Sequence, residues 1–288
     1  MKTGWLCYTE AESVRNARLI EYYRKAAGRQ NVELKLVLKE RLRTEITDGE
    51  NHFYYEEKTE KGILEQKIRK PDFAVCRVMD PDFNRMLTVT GIRVFNNSFV
   101  SAVCNDKALT YQYVAGNGIP ILDTWYDREQ CKKKGFPIVV KPVDGSGGKG
   151  VMLLQNEEEL QSALEGPLRG RRVVFQKAAS DLGKDLRVYV LGDQVVAGML
   201  RQSHKDFRSN FTLGGSARRY SFTEQELELI HKVIRLFDFG LVGIDFIFDQ
   251  GKMVFNEIED VVGARMLYTC TDIDIADRYL EWILSRLD

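Results

Sequence analysis

The chain has 288 residues, of which 44% are hydrophobic and 29% charged, and its 42 basic and 42 acidic side chains cancel. That length exceeds one small core and predicts two or three lobes, in a composition ordinary for a water-soluble globular protein. Zero net charge excludes a global basic field for nucleic acid or an anionic membrane, and no apolar run approaches bilayer length.

Residues 4–8 are a short apolar strand. Val14, Ala17 and Ile20 repeat at helical spacing up to about Gly28, and residues 32–38 alternate as a second strand. This order predicts an open α/β domain. Residues 39–70 are polar, with Asp48-Gly49 between two strand-like pieces, and predict an excursion hairpin. Strands follow at 73–78 and 93–96, with a helix over 80–88 between them. Arg77 ends its strand, where a ligand can sit; a plain surface arginine reads equally well. A second unit begins near Asn105, with a helix over 106–113 and a strand over 119–122.

Residues 136–153 read FPIVVKPVDGSGGKGVML. Ile138 to Val140 suit a buried strand, Lys141 ends it, and Val151 to Leu154 resume as a strand. Between them Gly145, Gly147, Gly148 and Gly150 leave backbone N–H groups unshielded. Such a loop, with lysines beside and within it, suits a polyphosphate. Other readings fit worse. The dinucleotide pattern G-x-G-x-x-G needs a helix after the loop. The P-loop pattern fails because Gly150 follows Lys149. A kinase loop needs a lysine on the following strand, so Asp238-Phe239-Gly240 reads as coincidence. A hairpin without a ligand is the bland alternative.

Asn156 and Glu159 mark a helix start, and residues 173–176 are a strand. Strands at 186–190 and 194–200 flank a Gly192-Asp193 turn, and residues 201–215 read as a polar loop. Thr223 and Glu226 cap a helix reaching Phe237. Residues 241–258 form a hairpin turning near Gln250-Gly251, and the last helix spans about 274–287. That turn puts Asp245 across from Glu257 to within about one position, and Glu257 and Glu259 face one side. Three carboxylates in apolar strands repel unless a cation joins them, and oxygen-only ligands suit Mg²⁺ or Mn²⁺. A solvated edge of scattered acids is the competing reading. The five cysteines are scattered without C-x-x-C, and residues 1–10 lack the apolar core of a signal peptide. A reduced, cytoplasmic setting is expected.

These pieces resemble the ATP-grasp superfamily, in particular its RimK-like carboxylate–amine ligases. The likeness is carried by Asp206-Phe207-Arg208-Ser209-Asn210 with Gly214-Gly215, by VVKPVDGSGGKGV, by Asp185-Leu186-Arg187-Val188 and by VGIDFIF…FNEIE. The resemblance implies an α/β plus α+β architecture: a pre-ATP-grasp α/β domain over 1–104 and two ATP-grasp lobes, 105–175 with the glycine loop and 176–288 with the acidic hairpin. It implies that Lys107 and Lys141 contact ATP phosphates beneath a cover of Gly145, Ser146, Gly147, Gly148 and Gly150. Gln176, Lys177 and Ala178 would form the hinge against adenine, and Asp185 would bind ribose. Arg208 would bind phosphate with Asn210 nearby, and Arg201 would meet an acceptor carboxylate. Asp245, Glu257 and Glu259 would hold Mg²⁺. Lys177, Ala178 and Glu259 depart from the family's usual glutamate, aromatic and asparagine.

The implied activity is ATP- and Mg-dependent carboxylate–amine (thiol) ligation through an acylphosphate, with glutamate or another amino acid as one substrate. Arg208, Lys141 and Arg201 would carry the charge work. Small-molecule substrates are expected, with a peptide or protein acceptor and a homo-oligomer both open, and no nucleic-acid or membrane partner. The alternative is an ATP-binding regulatory protein without ligase activity.

Overall fold

An apolar run opens the chain and becomes an inner strand of a parallel sheet. The computed structural model describes residues 1–60, 62–145, 147–203 and 216–287. β1 (Lys2–Tyr8) is followed by α1 (Glu10–Arg15) and α2 (Ala17–Arg29), then by β2 (Val32–Leu38). The sequence predicts one helix here; the split falls at Asn16, whose side-chain amide donates to the Glu12 carbonyl at 2.9 Å. Such local bonding competes with the helix ladder. β3 (Leu42–Thr47), β4 (Glu50–Thr59) and β5 (Gly62–Ile68) form a separate antiparallel sheet, one strand more than the expected hairpin. Asp48 and Gly49 hold the predicted turn, with φ of 54° and 78°. Phe53 of β4 meets Trp5 of β1 edge-on, with centroids 5.2 Å apart.

β6 (Phe73–Cys76), α3 (Pro81–Val89) and β7 (Arg93–Phe95) complete a parallel sheet of order β2-β1-β6-β7. Arg77 is not a surface arginine: it is buried beside Tyr8, Tyr23 and Tyr279. α4 (Ser98–Cys104) comes next. All five cysteines are free.

α5 (Lys107–Gly116) starts on Asp106, whose carboxylate accepts from Leu109 N at 3.0 Å. Residues 119–122, expected as a strand, make one bridge, Ile121 to Phe255. Pro120 has no N–H for a ladder, and its carbonyl accepts from Phe255 N at 3.0 Å. The apolar character of this stretch serves the burial of Ile119 and Leu122. β8 (Thr124–Trp125), α6 (Arg128–Lys134), β9 (Ile138–Pro142), β10 (Met152–Leu154), α7 (Glu157–Glu165) and β11 (Val173–Lys177) follow. Their antiparallel sheet has the order β10-β9-β11-β8. Ile138, Val140 and Phe175 pack with Cys131 and Leu160 of the helices. By the two-residue period of a strand, Val139 and Lys141 face the opposite side.

β12 (Lys184–Leu191), β13 (Gln194–Gln202), β14 (Ser216–Tyr220), β15 (Leu241–Asp249) and β16 (Lys252–Glu259) form an antiparallel sheet of order β14-β13-β12-β15-β16. Arg201 and Gln202 extend β13 where the sequence predicts a loop. α8 (Glu224–Ile234) starts on the predicted capping box of Thr223 and Glu226. α9 (Arg265–Cys270) follows the sheet. The chain divides into two units, Met1–Ser101 with Asp272–Asp288, and Ala102–Thr271. The closing helix α10 (Ile275–Leu284) therefore folds with the start of the chain. Arg29 of α2 donates to Asp274 at 2.6 Å, and Phe95 meets Trp282 edge-on. No helix among the described residues is long and apolar enough to cross a membrane.

Candidate functional site

The two antiparallel sheets in Ala102–Thr271 supply the walls of a cleft. Lys107, Lys141, Gln176 and Asp185 line it beside apolar Leu122, Val139 and Ile247. Gly145 and Gly148 of the glycine loop and Glu257 of the acidic hairpin line it too.

Both lysines are buried, and each is held by protein oxygens. Lys107 begins α5; its Nζ donates to the Gly145 carbonyl and lies 3.4 Å from Glu257 Oε2. Lys141 Nζ donates to Gln176 Oε1 at 2.7 Å, Asn256 Oδ1 at 2.8 Å and Tyr111 Oη at 3.1 Å. Burial pulls the Lys141 ammonium down to about 8; Glu257 opposes the shift and Lys107 adds to it. A charge held this poorly by neutral acceptors gains from an anionic ligand.

The loop is folded back on its root. Arg171 meets the Asp144 carboxylate at 2.7 Å, and Gly147, Gly148 and Gly150 have φ of 62°, 74° and 73°. Glycine alone adopts these values at little cost. Ser146, Arg208 and Asn210 lie outside the described residues.

Gln176 is buried between Lys141 and Thr124 Oγ1, to which its Nε2 donates at 2.9 Å. Lys177 carries its charge to Asp249, 3.2 Å away, while its backbone N–H donates to Asp123 O. Lys177 and Ala179, rather than Ala178, contribute to the cleft wall.

Strand register assembles the acidic group. Asp245 pairs with Glu257 across β15 and β16, within the one position expected from the turn at Gln250-Gly251. Oxygen atoms of Asp245, Glu257 and Glu259 lie within 4.8 Å of one another. Asp245 is fully buried. Arg187 grips its two oxygens at 2.7 and 2.6 Å, and Arg201 reaches one of them at 2.7 Å. Burial works against the Asp245 charge, yet these guanidiniums hold its carboxyl below the usual range. Burial raises Glu259, with Arg187 opposing and Asp245 and Glu257 adding to the rise. A divalent cation among three hard oxygen donors supplies the charge that Glu259 lacks, so the donor set fits Mg²⁺. Arg201, expected at an acceptor carboxylate, is turned to Asp185 by two bonds of 2.6 and 2.5 Å.

Arg187, Tyr111 and Asn256 belong to the site without having been singled out from the sequence. Arg187 was findable, since it lies two residues from Asp185 on one strand and so shares its face. Tyr111 sits on a helix with no periodic mark of a ligand. Asn256 reaches the site beside Glu257 because the ladder shifts register between Asp245 and Phe246.

A family model described as RimK-like ATP-grasp domain matches residues 104–283. Over 296 residues the chain is 27% identical to human N-acetylaspartylglutamate synthase A, covering 96% of this chain and 74% of that protein. It is 30% identical over 209 residues to the ribosomal protein bS6–L-glutamate ligase of Escherichia coli O81 (strain ED1a), covering 69% and 70%. Among solved structures, the ATP-grasp ligase PsnB complexed with a phosphomimetic variant of its minimal precursor, Mg and ADP superposes with a TM-score of 0.69 at 14% identity, over 100% of this chain and 99% of that one.

Proposed function

This chain belongs to the RimK-like ATP-grasp family and is an ADP-forming, ATP-dependent carboxylate–amine ligase; we propose that it joins the amino group of glutamate to a carboxylate-bearing small molecule or peptide through an acylphosphate. Glutamate is the amine suggested by the two relatives, whose names specify glutamate or a glutamyl product. None of the relatives named above is a non-catalytic ATP-binding protein.

One observation carries the reading: the Lys107 ammonium touches both the glycine loop, at Gly145, and the acidic hairpin, at Glu257. A triphosphate reaching between those parts meets Lys107 and Lys141 along its length. The loop amides near Gly148 would cover it, and the apolar wall of Leu122, Val139 and Ile247 would receive the base. Gln176 would act by orienting Lys141, and the backbone around Lys177 and Ala179 would meet the edge of adenine. Asp185 lines the same cleft and would meet the ribose. Arg208 and Asn210 would add contacts to phosphate, by family resemblance. Asp245, Glu257 and Glu259 would hold Mg²⁺, or Mn²⁺ in its place, which supplies positive charge to the phosphates when bound.

The substrate carboxylate oxygen forms a bond to the γ-phosphorus as the bond from that phosphorus to the β,γ-bridging oxygen breaks, and ADP leaves. The free amine then attacks the acyl carbon, the bond from that carbon to the phosphate oxygen breaks, and inorganic phosphate leaves as the nitrogen gives up a proton to solvent. The chain does this by holding the reactants together and offsetting phosphate charge, without a protein nucleophile. The sheets β10-β9-β11-β8 and β14-β13-β12-β15-β16 are the proposed walls.

The test is ADP release from Mg·ATP, measured with glutamate and a panel of N-acylated amino acids and acid-terminated peptides. Release is expected only when a carboxylate and an amine are both present, and hydroxylamine in place of the amine should yield a hydroxamate. ADP release from no pairing across the panel rejects the reading.

A further inference from the structure

Three carboxylates in one small volume repel, and burial makes the repulsion costly. One guanidinium bridges two of them. Arg187 Nη2 lies 2.6 Å from an Asp245 oxygen and 2.6 Å from Glu259 Oε1, and only 7% of the residue reaches solvent. Register explains the bridge. Arg187 is paired with Asp245, and Glu259 is paired with Gly243, the neighbouring same-face position on β15. Gly243 sends no side chain into the gap; a Cβ there would stand 2.6 Å from Val262 Cγ2 and 3.5 Å from Arg187 Cδ. Arg201 is already paired with Asp185 by two bonds. Counting Arg201 against Asp185 and Lys107 against Glu257, 3.4 Å away, the acid trio with Arg187 still carries a net negative charge, which attracts a cation.

We propose that Arg187 is a positioning residue, a built-in counter-ion that holds Asp245 and Glu259 at ligating distance in the metal-free protein and leaves the trio a net negative charge for a divalent cation. The proposal rests on reading the trio as the metal site, but its first test needs no metal.

In buffer containing a chelator, Arg187→Gln is expected to lower the melting temperature by roughly 5–10 °C, because buried Asp245 and the partly buried Glu259 beside it lose a shared partner. Adding Glu259→Gln removes the unbalanced acid and should restore roughly half of that loss. A double variant that melts as low as Arg187→Gln overturns the proposal, since Arg187 would then act through Asp245 or packing alone. With Mn²⁺ as the probe, the Arg187→Gln protein should gain more melting temperature than the parent, the cation taking the place of the missing charge. An equal or smaller gain overturns the counter-ion role. Should Arg187→Gln not fold, Arg187→Lys keeps the charge and is expected to fold and to respond to Mn²⁺ as the parent does; a lysine variant that also fails to fold overturns the proposal. A parent whose melting temperature ignores Mn²⁺ fails the metal reading and the proposal with it. A parent that responds, with a double variant that gains nothing, fails the proposal alone.

Discussion

Lys107 Nζ stands 3.4 Å from Glu257 Oε2 and donates at the same time to the carbonyl of Gly145. Two parts far apart in sequence therefore meet at one ammonium. Glu257 is the acid that Lys107 shares with the loop, and its side chain remains 26% exposed. Glu257→Gln keeps the shape and removes the charge. Turnover is expected to fall by on the order of 10²–10³-fold, the range seen when one electrostatic partner of a reaction is lost. Thermal melting should move by no more than a few degrees. ADP release and a melting curve on one preparation check both halves.

Lys141 gives a pH prediction. Its ammonium is pulled from 10.5 to about 8 by burial, with Glu257 opposing and Lys107 assisting. Below pH 8 it is charged in both the folded and unfolded chain, so the burial cost is present in full. Between about 8 and 10.5 the unfolded chain holds the proton and the folded chain does not, so this residue's contribution to stability improves as pH rises. Phosphate binding prefers the charged form. ADP affinity, measured without metal by calorimetry, should thus be flat up to about pH 8 and weaken above it, by at most about tenfold per unit. Lys141→Met should bind more weakly and lose that slope.

The acid hairpin was legible because a strand has a period of two and Gln250-Gly251 sets its turn; the count from that turn puts Asp245 opposite position 256, and the register shift between Asp245 and Phe246 brings it to Glu257, one position on. The glycine loop was legible for a local reason, a buried strand carrying Lys141 followed by closely spaced glycines, whereas Lys107 was marked only by the family resemblance. What local pattern missed are tertiary effects. Residues 119–122 look like a strand but are an apolar segment under β16, stopped by Pro120. Arg77 reads as a surface or ligand residue, yet tyrosines from β1, α2 and α10 bury it. Tyr111 and Asn256 matter only because Lys141 turns to them, and no spacing in the sequence records that turn.

Arg201 is 4% exposed and spends its guanidinium on Asp185 and Asp245. Removing it leaves two buried carboxylates short of a partner. Arg201→Met is expected to cost about 3–5 kcal/mol of stability. Arg201→Lys should recover part of it, since a single ammonium keeps the charge but cannot make the paired bonds. Denaturant melts of the two variants check this order. A methionine variant as stable as the parent would show that the buried pairing contributes little.

Gly150 closes the glycine loop with φ of 73°, and a Cβ there would stand 2.9 Å from Pro142 Cγ and 3.3 Å from Arg171 Nη1. Pro142 ends the strand that carries Lys141, and Arg171 holds the loop root at Asp144. Alanine at 150 therefore meets two penalties, a left-handed backbone and a rigid ring that cannot step aside. The strain is on the order of 1 kcal/mol or more and falls on the loop rather than on the buried face of its sheet. Gly150→Ala should raise the KM for ATP several-fold while melting within a few degrees of the parent. Gly147 has φ of 62° but open space around its missing Cβ, so Gly147→Ala meets the backbone penalty alone and should raise the KM less. The comparison separates steric closure of the loop from its backbone freedom: equal KM values for the two variants would mean that contact with Pro142 plays no part in seating the loop over the phosphates.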